Sequence, residues 1–146
     1  MDSTLPPTET IHATCVGVNN RAILIVGASG SGKSSLALQL IALGAQLISD
    51  DRTILTRRTN TLEASCPATI TGLIEARGVG ILRLPSIGAT PVALAVDLDK
   101  TEEARLPDQH EIDLLGVTLP CLWNATSSHF APAILHYIAS GVRQPS

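Results

Sequence analysis

Aromatic residues are nearly missing from this chain of 146: one Trp, one Tyr and one Phe, 2% of the total. So few rings argue against a stacking platform for single-stranded nucleic acid. Basic clusters are missing too. The net charge is −3 and nothing more basic than the Arg57-Arg58 pair occurs, so neither nucleic acid nor an anionic membrane is an expected partner. Cysteine is scarce and scattered, with Cys15, Cys66 and Cys121 forming no C-x-x-C pair. Zinc and redox-motif readings fall away, leaving buried thiols in a reducing cytoplasm as the expectation. No apolar run reaches membrane-spanning length. The start, Met1-Asp2-Ser3-Thr4-Leu5-Pro6-Pro7, carries neither basic residues nor an apolar stretch, so a cytoplasmic location is expected. Asn124-Ala125-Thr126 fits the glycosylation pattern but is incidental without a secretory start.

Aliphatic residues are what the chain has. Hydrophobic residues make up 45% of it, enough for a core of Leu, Ile, Val and Ala in one domain. Residues 1–9 read as a flexible tail and residues 10–146 as the folded domain. Ile11 to Val16 alternates as a strand, and Asn19-Asn20 predicts a hairpin turn into the apolar strand Ala22 to Val26. A helix follows and ends at Gly44. Short strands are expected at Ala45–Ser49, Thr53–Arg57, Thr61–Ala64, Val92–Leu98, Ile112–Leu115 and Val117–Leu119. Asp99 to Asp108 reads as a charged loop, and Ile134, Leu135 and Ile138 give His129–Ser140 a helical spacing. Strands outnumber helices, unlike the regular alternation of a doubly wound nucleotide kinase.

Between the second strand and the first helix stands Gly27-Ala28-Ser29-Gly30-Ser31-Gly32-Lys33-Ser34, a complete G-x-x-x-x-G-K-[ST] phosphate-binding loop. Its glycines let backbone N–H groups turn inward without Cβ clashes, and the helix start at Ser35 adds partial positive charge. Lys33 is placed to reach the β- and γ-phosphates, and the Ser34 hydroxyl to take a position on Mg²⁺. The expected ligand is a nucleoside triphosphate.

Phosphoryl transfer also needs carboxylates for the metal and for the nucleophile's proton. Asp50-Asp51, delivered by an apolar strand, is the best candidate pair. If both face the site, repulsion raises the proton affinity of one, which suits a base; the bland alternative is turn and capping chemistry before Arg52. Glu75, followed by Arg77-Gly78-Val79-Gly80, is the next acid, either completing a metal shell or pairing with Arg77 on an exposed edge. His12 sits in a strand among small residues, where a lone histidine is more often structural. Arg77 and Arg83 are candidates for stabilising phosphoryl charge, or ordinary surface residues.

Taken together these residues resemble the catalytic domain of HPr kinase/phosphorylase (HPr serine kinase), the bifunctional regulator of the bacterial sugar phosphotransferase system. The resemblance runs through Ile11-His12-Ala13-Thr14, Gly27 to Ser34, Leu47-Ile48-Ser49-Asp50-Asp51-Arg52 and Ile74-Glu75-Ala76-Arg77-Gly78-Val79-Gly80-Ile81. It is to a short form of α-proteobacterial type, without the usual separate N-terminal domain. It implies an α/β, phosphoenolpyruvate-carboxykinase-like P-loop domain: a strand-rich mixed sheet with the P-loop helix and a C-terminal helix. It also implies ATP- and Mg²⁺-dependent phosphorylation of a serine on HPr, with a phosphorylase back-reaction on inorganic phosphate. By position it makes Asp50 the proton-handling base, His12 its support and Lys33 the phosphate holder. The nucleotide would lie on Gly27 to Ser34 and Ser35, and Ser34, Asp51 and Glu75 would surround Mg²⁺.

Two departures accompany the match. After Gly80 the family's longer basic loop is shortened to Ile81–Ala89, and its Arg-Pro-Gly-Arg-Asn segment is replaced by Leu119-Pro120-Cys121-Leu122-Trp123-Asn124. Both bear on the phosphorylase reaction, the hexameric assembly and HPr docking, and homo-oligomer formation stays open. The competing readings are a nucleotide-sensing module without turnover and a small-molecule P-loop kinase. The latter normally carries an arginine-rich lid late in the chain, whereas no arginine stands between Arg105 and Arg143.

Overall fold

The computed structural model describes residues 6–140. Ten strands and two α-helices follow one another as β1 (Thr8–Val18), β2 (Arg21–Val26), α1 (Lys33–Ala42), β3 (Gln46–Ser49), β4 (Arg52–Arg57), β5 (Leu62–Ser65), β6 (Leu73–Ala76), β7 (Gly80–Arg83), β8 (Thr90–Thr101), β9 (His110–Leu114), β10 (Val117–Asn124) and α2 (Phe130–Ser140). The α/β, strand-rich mixed sheet with a loop helix and a C-terminal helix is as expected. Asn19 and Asn20 adopt φ of 51° and 61°, the left-handed pair that a two-residue hairpin between twisted strands demands. Arg21 then pairs with Val18 to open the β1–β2 ladder.

The start of the fold lies earlier than the tail reading allowed. Thr8 and Glu9 pair with Thr56 and Leu55 of β4, because a ladder satisfies backbone groups that a tail would leave to water. Residues 1–5 of the expected tail, and residues 141–146, lie outside the described residues.

β1 is long because it serves two partners. Its first half pairs with β4 and its second half with β2 and β3. β8 is shared in the same way, meeting β5 through Thr90 and Pro91 and β2 through its later residues. β3 and β2 both run antiparallel to β1, and β8 and β10 run parallel to β2. The C-terminal ends of β2, β3, β8 and β10 therefore lie along one rim, where open α/β sheets place their ligands.

Two aliphatic cores flank the central strands. One joins Ile23, Ile25 and Leu94 to Leu36 and Leu40 of α1 and Ile134 of α2. The other gathers Leu24, Ile48, Leu55 and Leu62. Alternate residues of β2 thus feed opposite cores, as the period of a strand requires. Each fully buried Leu or Ile contributes about 1.5–3 kcal/mol. β6 and β7 form a separate two-stranded hairpin, pinned by the buried Ile74.

Candidate active site

The loop after β2 is held open by its glycines. Gly30 and Gly32 have φ of 84° and 103°, and a Cβ at either would meet nothing within 4 Å. Backbone conformation, not crowding, calls for glycine there. Gly27 answers to space as well, since a Cβ would lie 2.5 Å from Ser31 Oγ. That hydroxyl is buried with no hydrogen-bond partner. The N-cap of α1 is Gly32, and no side chain caps the helix. Free first-turn N–H groups, an orphaned hydroxyl and the positive end of a helix dipole are what a phosphate group would satisfy.

Lys33 is only 6% exposed. Its Nζ donates to the carbonyls of Gly27 and Ala28 at 2.9 and 3.1 Å, folding the side chain over the loop. Asp99, at the end of β8, accepts from Ala28 N with both carboxylate oxygens at 3.0 Å. It ties the loop entrance to the neighbouring parallel strand. Nothing in the loop motif itself pointed to Asp99.

The acidic pair is split by one dihedral angle. Asp51 has φ of 68°, a left-handed conformation that short polar residues tolerate best. Arg52 N then donates to Asp50 O at 2.7 Å and Ala13 N to Asp51 O at 3.1 Å, closing a tight turn from β3 to β4. The consecutive carboxylates face different surroundings. Asp50 is buried; its Oδ1 accepts from Ser34 Oγ at 2.6 Å and Thr14 Oγ1 at 3.0 Å. Its Oδ2 accepts from Glu75 N at 2.9 Å. Asp51 is more open, with His12 Nδ1 3.3 Å from its Oδ1 and side chains 57% and 68% exposed respectively.

His12 therefore stands on Asp51, not on Asp50 as the resemblance implied. The reason is the register of β1: His12 pairs with Arg52, so its side chain meets the outward member of the pair. Thr14, two residues on, meets the inward one and also accepts from Asp51 N at 3.1 Å. A hydroxyl buried in the apolar run Ala13-Thr14-Cys15-Val16 was the signal for it, and motif reading passed it by.

Lys33, Ser34, Asp50, Asp51, Glu75 and Arg77 line a polar cavity of about 300 Å³. Arg83, on β7, is not among its lining residues. Among the described residues no three His, Cys, Asp or Glu side chains converge closely enough to hold a metal by themselves. Magnesium does not ask for that; it takes one or two protein ligands and completes its octahedron with phosphate oxygens and water. Past β7, residues 84–89 run alongside β3, with Ile87 N donating to Leu47 O at 2.9 Å. Among the described residues no helix is long and apolar enough to cross a membrane.

Comparison with known proteins gives a consistent picture. Residues 3–119 match the family described as HPr Serine kinase C-terminal domain. The chain is 42% identical over 127 residues to an HPr kinase/phosphorylase of Bordetella avium (strain 197N), covering 77% of this chain and 41% of that protein. It is 34% identical over 121 residues to one from Alkaliphilus metalliredigens (strain QYMF), covering 77% of this chain and 39% of that protein. It thus spans roughly two fifths of the length of these curated relatives. The solved structure of the Hpr(Ser) kinase/phosphatase from Coxiella burnetii superimposes with a TM-score of 0.75 at 26% identity, covering 90% of this chain and 94% of that one. A phosphate loop, a divided acidic pair and a strand-rich sheet with two helices come together here with that match: the chain belongs to the HPr Serine kinase C-terminal domain family.

Proposed function

We propose that the chain transfers the γ-phosphoryl group of ATP to a serine hydroxyl of HPr, in a Mg²⁺-dependent reaction. The observation that carries the reading is the division of labour between Asp50 and Asp51 beside an uncapped glycine loop. Asp51, open to the cavity and flanked by His12, is suited to accept the serine proton as the serine oxygen bonds to the γ-phosphorus. The bond from that phosphorus to the β,γ-bridging oxygen breaks, and ADP leaves. His12 holds the carboxylate in orientation. Asp50 accepts from Ser34, Thr14 and Glu75 N and serves as the anchor of the cation side. This assignment reverses the one the resemblance implied for the pair.

Lys33, Ser34, Ser35 and the loop amides would hold the triphosphate. Ser34 and Glu75 would hold Mg²⁺, which supplies neutralisation of charge on the β- and γ-phosphate oxygens; pairing with His12 takes Asp51 out of the metal set. Arg77 lines the same cavity and supports charge developing on the transferred group. The residues after Gly80 contribute no further basic residue to that lining, which favours the kinase direction over phosphorolysis.

The test is incubation with γ-labelled ATP, Mg²⁺ and HPr. Label on a serine of HPr is expected, and Asp51→Asn should cut transfer by about 10²-fold or more while ATP affinity stays near that of the parent. Label appearing only on small hydroxyl compounds, or binding without any transfer, would overturn the reading.

A further inference from the structure

The three aromatic residues of the chain come from two separate segments, yet all of them line one cavity. Trp123 is the last residue but one of β10, while Phe130 and Tyr137 lie on α2. They close round a space of about 420 Å³ together with His110 and Glu102. His110 lies flat against Trp123, centroids 3.5 Å apart and planes 4° from parallel, and Lys100 Nζ is 5.5 Å from the same indole ring. Glu102 Oε1 holds His110 Nε2 at 2.7 Å, both side chains largely withdrawn from water at 12% and 19% exposure. The wall is thus a flat, locked pair of rings with a hydrogen-bonded carboxylate behind it. In a chain with 2% aromatics, gathering every one of them at one place is a built feature.

The position of the cavity says what it takes. β2, β8 and β10 are consecutive parallel neighbours. The phosphate loop leaves the end of β2, and the cavity lies beside β10, lined by residues of that strand between Thr118 and Trp123. Two strand spacings, about 10 Å, separate the strands that carry them, a span that a ribose and its α-phosphate bridge. The strand between also connects them chemically. Asp99 of β8 braces Ala28 of the loop, and three residues later Glu102 N donates to Asn124 O at 2.9 Å on the cavity side.

We infer that this cavity receives the base of the nucleotide whose phosphates lie on Gly27–Ser34. A planar heteroaromatic ring fits against the His110–Trp123 pair, and the apolar faces of Phe130 and Tyr137 exclude water around it. The inference rests on the phosphate-loop reading above, and the experiment separates the two.

Trp123 is the sole tryptophan, so its emission reports this cavity alone. The full chain is titrated with ATP and, separately, with inorganic tripolyphosphate, following emission and measuring affinity by calorimetry. ATP is expected to change the emission; tripolyphosphate is expected to bind and leave it unchanged. Trp123→Leu should weaken ATP about 10-fold or more with tripolyphosphate unaffected. Ala133→Phe, at an exposed α2 position that lines the cavity, fills the space without touching the core and should do the same; it decides the matter if Trp123→Leu fails to fold. ATP affinity unchanged in a folded Ala133→Phe protein overturns the inference while leaving the phosphate loop intact. Failure of tripolyphosphate to bind the parent overturns both.

Discussion

Ser34 Oγ donates a 2.6 Å hydrogen bond to Asp50 Oδ1. The residue that ends the phosphate loop is thereby fastened to the end of β3 before any ligand arrives. Thr14 Oγ1 and Glu75 N complete the same carboxylate, so four segments of the chain meet on one side chain.

Asp50→Asn should therefore be a stability mutation. An amide can offer one oxygen where the carboxylate offers two, so at least one donor facing it loses its acceptor. Leaving such a buried donor unmet costs about 1–3 kcal/mol. Asp51→Asn, at an exposed position, should stay within about 0.5 kcal/mol of the parent. Thermal melting of both variants checks this, and equal losses would show that the pair is not divided as described.

The Glu102–His110 pair makes acid sensitivity predictable. The hydrogen bond from His110 holds the Glu102 carboxyl below the ordinary carboxylate range. A lowered folded value means that its stabilisation is present above the unfolded pKa, about 4.3, and disappears as pH falls through the folded one. Glu102→Gln should accordingly melt below the parent at neutral pH, with the gap closing in acid. A gap that stays constant across that range would contradict the linkage.

Thiol chemistry should discriminate among the three cysteines, none of which is in a disulfide. Burial pushes the Cys15 thiol far above its usual value and Cys121 to about 11. Cys66 is only half-buried. Reactivity follows thiolate and access, so a thiol reagent at mildly alkaline pH should modify Cys66 first, reaching Cys15 only on unfolding. Mass spectrometry of the labelled peptides gives the order, and modification of Cys15 at the rate of Cys66 would refute it.

Local chemistry was legible in the sequence wherever residues act through neighbours in the chain. The glycine loop has its own punctuation, and Asn19-Asn20 announces its turn. Pairings across the fold were less so. Whether His12 meets Asp50 or Asp51 depends on the β1–β4 register and on φ at Asp51, neither of which a motif encodes. Thr8 and Glu9 looked like tail because their partners stand more than forty residues away in β4. The scattered aromatics read as scarcity until β10 and α2 brought them to one wall.

The link Ser49–Arg52 reverses the chain within a single residue's left-handed turn, setting two adjacent acids to different tasks. An insertion there would turn both acids to new surroundings while leaving their side chains in place in the sequence. In this stretch the number of residues, as much as their identity, carries the arrangement.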